Sequence, residues 1–325
     1  MKPASISLLS AAVFSMGAGP GVAAPEVVVS IKPIHSLVAS IMKGVGEPKL
    51  IVDGAASPHT FSLKPSNAAA IEGADVIFWI GPGIEAFLEK PLDALAASAT
   101  VIELEDAPGL QKLPFRESGA FEAHDDGHEA GEAPEHDDHQ HADHDDDHHG
   151  HGGFDTHLWL DAMNAKAMAA EIEKTLVSAD PVNAAAYQAN GAMLMKDIDA
   201  LDTEIKATVA PVKSKPFIVF HDAYQYFEHR YGVSVAGSIT VSPETMPGAE
   251  RVDQIQKKVK ELGATCVFAE PQFEPKLVAV VTEGTPARSG TLDPEAATLK
   301  SGSGLYFELM RGLARSMKNC LSQGT

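Results

Sequence analysis

No lysine or arginine occurs between Arg116 and Lys166, although the chain carries 25 basic residues in all. Against that absence, residues 117–155 hold five Glu and nine Asp, so 14 units of the formal net charge of −20 fall in one stretch. The rest of the chain is only mildly acidic. Without clustered Lys and Arg on one face, nucleic-acid binding is excluded. Beyond the N-terminus no uninterrupted apolar run is long enough for a membrane helix. No H-E-x-x-H pair occurs, which removes the commonest helical zinc-hydrolase signature. Cysteine is almost missing as well: Cys266 and Cys320 are the only two.

The N-terminus has the composition of an export signal. Lys2 precedes the apolar stretch Ile6 to Phe14, too short to span a bilayer, and small residues lead to Gly21-Val22-Ala23. Residues 1–23 are therefore expected to be a cleaved signal peptide, and no Cys near the cut supports a lipid anchor. A soluble protein of the Gram-negative periplasm is the compartment this implies. In such an oxidising space Cys266 and Cys320 are expected to form a disulfide. Two thiolate metal ligands are the alternative, disfavoured by their separation and by the lack of C-x-x-C spacing.

What fills the gap in basic residues is histidine. Nine of the fourteen lie there: His124, His128, His136, His139, His141, His144, His148, His149 and His151, interleaved with Asp. Imidazole and carboxylate hold borderline divalent metals, zinc above all. So polar a stretch has too little apolar surface to offset the entropy of ordering, so 117–154 is expected to be a flexible loop that collects metal. A purely solvating acidic linker would not need the histidines.

The rest reads as α/β. Val27–Ile31, Leu50–Val52, Val76–Ile80 and Val101–Leu104 are short apolar strands separated by helical segments, a rhythm that implies βαβ units and a mainly parallel sheet. After the loop, helices are expected from about Asp161 to Val177 and from an Asp180 N-cap with Pro181 at the first position. In the second helix Tyr187, Leu194, Ile198, Leu201, Ile205 and Val209 recur at helical spacing up to Pro211. Strands Phe217–Phe220, Val233–Val235 and Cys266–Ala269 follow, with helices at 251–262, 276–283 and 305–317. No internal repeat is visible. The expected organisation is a first lobe over 24–179, a linking helix over 180–211 and a second lobe over 212–325.

Five histidines lie outside the loop. His35 opens a helix inside an apolar pattern and reads as a packed, hydrogen-bonded residue; His229 falls on a solvated helix face. His59 lies in a turn after strand Leu50–Val52, His221 directly follows strand Phe217–Phe220, and His157 sits just past the loop. In open α/β sheets ligands bind beyond the carboxyl ends of strands, which makes these three the candidate metal ligands.

Around them the sequence resembles a known family. Ser57-Pro58-His59-Thr60-Phe61-Ser62-Leu63-Lys64-Pro65-Ser66, Asp155-Thr156-His157-Leu158-Trp159-Leu160-Asp161, His221-Asp222-Ala223-Tyr224-Gln225-Tyr226-Phe227 and Thr291-Leu292-Asp293-Pro294 are similar, in that order, to the four metal motifs of the periplasmic zinc-binding proteins of ABC importers. Ala269-Glu270-Pro271-Gln272-Phe273 also fits the family, and the His-rich insert falls where the zinc-specific, ZnuA-type members carry theirs. The resemblance implies two Rossmann-like lobes joined by one long rigid helix, with Zn2+ in the cleft between them. His59 and His157 would come from the first lobe and His221 from the second. Asp293 matches the position of the fourth ligand in several relatives, with water as the rival. An acid that some members place directly before the first histidine is here Pro58. Thr156 and Ala162 replace prolines of the second motif. A histidine that some relatives carry near Ser238 for a second zinc site is absent.

The implied function is capture of zinc and its delivery to a membrane permease, with periplasmic zinc chaperones as further candidate partners and the chain acting as a monomer. Because neutral imidazole is the ligand form, binding is expected to weaken as pH falls through the histidine range, ~6.5 when unperturbed. Two other functions use the same ligands. An exported zinc hydrolase would need a general base, for which Glu270 at a strand end is the candidate, although a supporting partner of a ligand is the better reading of that residue. A zinc buffer or metal-dependent adhesin would keep the fold without an importer.

Overall fold

The computed structural model describes residues 24–116, 121, 153–240, 243, 247–263, 266–273 and 276–323. The expected signal peptide and the nine loop histidines, His124 to His151, lie outside the described residues.

The first half alternates β1 (Val27–Val29), α1 (Lys32–Ile41), β2 (Lys49–Leu50), α2 (Pro65–Glu72), β3 (Val76–Trp79), α3 (Pro82–Leu95) and β4 (Thr100–Glu103). Its sheet has the order β2-β1-β3-β4 with every pair parallel. Helices cover both faces of β1 and β3, so these strands are buried throughout and read as continuous apolar runs rather than as alternation. Proline lies at the start of α1, α2 and α3, where its missing N–H is no loss and its fixed φ suits the first turn.

Helix α4 (Ala162–Ala179) begins on an Asp161 cap whose carboxylate accepts from the Met163 N–H. The long helix then differs from its sequence reading at its start. Pro181–Asn183 form a separate 3-10 turn, and α5 proper spans Ala184–Val209. Asp180 explains the break: its carboxylate accepts from the Asn183 amide side chain at 2.7 Å and from the Tyr187 hydroxyl at 2.9 Å, which tightens the entry turn. The remaining 26 residues make a rod of about 39 Å at ~1.5 Å per residue. Its buried stripe contains Tyr187, Leu194, Ile198, Leu201, Ile205 and Val209.

The second half comprises β5 (Pro216–His221), α6 (Gln225–Tyr231), β6 (Ser234–Thr240), α7 (Ala249–Leu262), β7 (Cys266–Ala269), α8 (Lys276–Thr282), β8 (Arg288–Thr291) and α9 (Leu305–Ser322). The order is β6-β5-β7-β8, again all parallel, which repeats the topology of the first sheet. Strand β6 runs well beyond the expected Val233–Val235, and β8 has no apolar run to announce it.

One apolar cluster extends from β1 and β3 through α1, α5 and α9 to Phe217, Val219 and Phe268 of the second sheet. A smaller cluster, including Ile218, Val267, Ile255 and Val281, lies on the opposite face under α7 and α8. Cys266 and Cys320 are joined, tying β7 to α9. Among the described residues no helix is long and apolar enough to cross a membrane.

In both sheets the strand order reverses direction at one point, between β1 and β3 and between β5 and β7. Loops leaving opposite sides there open a crevice at the carboxyl ends of the strands.

Candidate metal centre

His221 is the last residue of β5, and Glu270 follows directly on β7, so the pair flanks the reversal point of the second sheet. From the first half, Pro58–Thr60 form a 3-10 turn that presents His59 after β2. His157 precedes the 3-10 turn Leu158–Leu160, whose three side chains are fully buried and fix it in place. Ring centroids of the three histidines are 5.3–5.6 Å apart. One ligand nitrogen from each lies within 4.8 Å of the others.

Two carboxylates set the imidazole tautomers. Asp155 Oδ1 is 2.7 Å from His157 Nδ1, and it also accepts from the His157 backbone N–H. Glu270 spans His221 Nδ1 with both oxygens, at 2.7 and 2.8 Å, and its Oε1 accepts from the Tyr224 hydroxyl. Each Nδ1 is thereby placed to donate to its carboxylate, and each Nε2 faces inward. Those two Nε2 atoms are 3.3 Å apart. Tetrahedral zinc with Zn–N bonds of ~2.0–2.1 Å requires a nitrogen–nitrogen edge of roughly 3.3–3.4 Å, which matches.

Electrostatics agree with a site built for a cation. Burial, then the charges His157 and His221 would carry, push the His59 imidazole well below its ordinary range. For His221 burial acts in the same direction, but the charge and hydrogen bonds of Glu270 outweigh it and raise the group.

Asp293 is not part of the group. Its Oδ1 accepts from the Ala297 N–H at 2.9 Å, and its Oδ2 from the Thr298 N–H and hydroxyl at 3.1 Å each. That carboxylate closes its own turn. The acid that reaches the histidines from this turn is Glu295, with Oε1 3.7 Å from His59 Nε2. Burial pushes its carboxyl up to about 8, with His221 the main opposing influence.

His35 bonds the Pro48 carbonyl at 3.0 Å in a buried setting, and His229 lies exposed on α6. Both stand apart from the cluster. Of the supporting residues, Asp155 falls inside the second motif, where the sequence assigns it no role, and Glu270 is the residue whose place at a strand end suggests a partner of a ligand. Glu295 carried no signal, because its reach depends on how the 293–299 turn folds.

Residues 27–320 match the family of periplasmic zinc-uptake complex component A proteins, ZnuA. The chain belongs to that family. A high-affinity zinc uptake system protein ZnuA of Brucella suis is 56% identical over 314 residues, covering 91% of this chain and 92% of that protein. A crystal structure of ZnuA superposes with a TM-score of 0.73 at 26% identity, covering 91% and 99% of the two chains. A ZnuA deletion mutant with zinc bound gives 0.71 at 25%, covering 92% and 98%. The ZnuA family is one of zinc-uptake components rather than enzymes, and its members are periplasmic. Membership also accounts for the repeated parallel topology and the long helix, which follow the same two-lobed arrangement.

Proposed function

We infer that the chain captures Zn2+ in the periplasm and passes it to the membrane permease of an ABC importer. The observation that carries this reading is the convergence of three imidazoles, two of them with inward-facing Nε2 atoms 3.3 Å apart and one nitrogen from each within 4.8 Å of the others. His59, His157 and His221 hold the ion. An all-imidazole set suits zinc better than the oxygen-loving divalent cations. Asp155 and Glu270 lock the orientation of their imidazoles, so the ligands need little rearrangement to close on the metal.

Lobes over 24–179 and 212–325, linked by 180–211, belong to this reading. So do a monomeric chain, export from a Gram-negative cytoplasm by a cleaved 1–23 signal, and hand-over from periplasmic zinc chaperones. The His-rich stretch acts by effective concentration, with many weak sites near one strong one.

Zinc titration of the metal-free protein against a chromophoric chelator tests it. Removing residues 124–151 should leave one tight site and abolish the weaker ones. His59→Ala, His157→Ala or His221→Ala should each weaken the tight site by more than about 100-fold, beyond the range typical of a supporting partner. Loss of the tight site together with the loop would place it elsewhere, and ester hydrolysis abolished by His157→Ala would replace transport with catalysis.

A further inference from the structure

We propose that Glu295 supplies the fourth donor to the zinc, in place of Asp293, so that each lobe contributes two ligands. This rests on the three-histidine reading above. Three imidazoles leave one corner of a tetrahedron open. Pro58, directly before His59, has no side-chain donor to offer, and the Asp293 oxygens are committed to Ala297 and Thr298. Glu295 is 6% exposed, with its carboxylate beside His59. Its Oε1 is 3.7 Å from His59 Nε2 and accepts from the Ser57 hydroxyl at 3.3 Å, while Oε2 accepts from the Gln272 amide at 3.0 Å. Ligands on one tetrahedral zinc are roughly 3.3–3.4 Å apart, so a shift of a few tenths of an ångström closes the edge to His59. The edges to His157 and His221, not both within 4.8 Å in this structure, close by a larger swing of the carboxylate.

The backbone around Glu295 is held for the purpose. Ala296, the next residue, has φ of 58°, and among the described residues it is the non-glycine position with a left-handed backbone. Such conformations persist where the surroundings over-determine them, typically at ligand sites. Here the surroundings come from the other lobe. The Lys32 ammonium on α1 donates to the carbonyls of Ala296, Ala297 and Leu299 at 3.0–3.1 Å, and the Trp159 indole N–H donates to Pro294 O at 2.8 Å. Asp293 closes the turn, Lys32 and Trp159 hold it, and Glu295 is aimed by it.

The experiment compares Glu295→Gln with Asp293→Asn. Chelator competition should show zinc affinity falling by more than about 100-fold for E295Q, beyond the range of a supporting partner, and by less than about threefold for D293N, and the visible spectrum of the cobalt(II)-loaded protein should change for E295Q alone. A crystal of the zinc-loaded wild type decides independently of any variant: a Glu295 oxygen ~2.0–2.2 Å from the ion supports the proposal, and water or Asp293 in that position overturns it. An E295Q protein with unchanged affinity and spectrum also overturns it. If His157→Ala leaves tight binding intact too, it is the three-histidine site that fails, which separates the two outcomes.

Discussion

The two sheets share one topology and use their reversal points differently. At the second, β5 and β7 end in His221 and Glu270, an imidazole gripped by both oxygens of a carboxylate. At the first, the space beyond β3 is closed by Glu85 of α3, whose Oε2 accepts from the Ile80 and Gly81 N–H groups. Glu85 is fully buried, which pushes its carboxyl up to about 7. Glu105 packs so closely against Gly81 that its carboxylate would collide with a Cβ there. The first lobe thus plugs its crevice and sends its candidate metal ligands from farther out, His59 after β2 and His157 after the segment that follows β4. Strand order prepares a ligand crevice, but side chains decide whether it is used.

The halves differ also in what secures them. The second lobe has the smaller apolar cluster under α7 and α8 and a covalent tie from β7 to α9. Replacing both cysteines by alanine should cost about 4 kcal/mol in the chain-entropy model for a separation of 54 residues. Urea unfolding of the metal-free protein measures it, and hydrogen exchange should show the loss concentrated in β7, β8 and α9. Equal loosening of β1 and β3 would mean that the two halves unfold as one unit.

Glu85 offers the next largest effect, and its sign is fixed by linkage. A carboxyl raised from 4.5 to about 7 on folding stabilises the fold below about pH 4.5, and that contribution is lost as pH rises through 7. At full ionisation the loss is at most roughly 3 kcal/mol. Glu85→Gln should therefore gain on the wild type steadily between pH 5 and 8 in thermal unfolding of the metal-free protein. A difference between the two that stays flat with pH would show that Glu85 does not carry the strain of the first reversal point.

The smallest effects compare the two carboxylate supports. Glu270→Gln and Asp155→Asn should each weaken zinc binding by about 10- to 100-fold. Glu270→Gln should be the more costly, because Glu270 grips His221 with two oxygens and also anchors Tyr224. The reverse order would move the rigid half of the site to the first lobe.

Much of this was legible in sequence, for identifiable reasons. Strands such as Val76–Trp79 are buried on both faces, so their apolar runs mark them without context. The stripe on α5 has the same transparency. Strand β8, Arg288–Thr291, is half exposed and carries no apolar run, so only its pairing with β7 reveals it. The start of α5 depends on where the Asp180 carboxylate finds its partners, which spacing alone does not settle.

The site divides in the same way. Sequence by itself determined the α/β class, the cysteine pair, the family motifs and the three histidines, because residue type and distance from a strand end are local properties. The tertiary structure alone decided that two Nε2 atoms meet at 3.3 Å, that Asp293 accepts from the N–H groups of its own turn and that Glu295 faces His59. The meeting of His157 with His221 and of Glu295 with His59 joins residues 64 or more apart in sequence. The turn that carries Asp293 and Glu295 is held by Lys32 from the other end of the chain and has a left-handed residue that no preference at Ala296 announces.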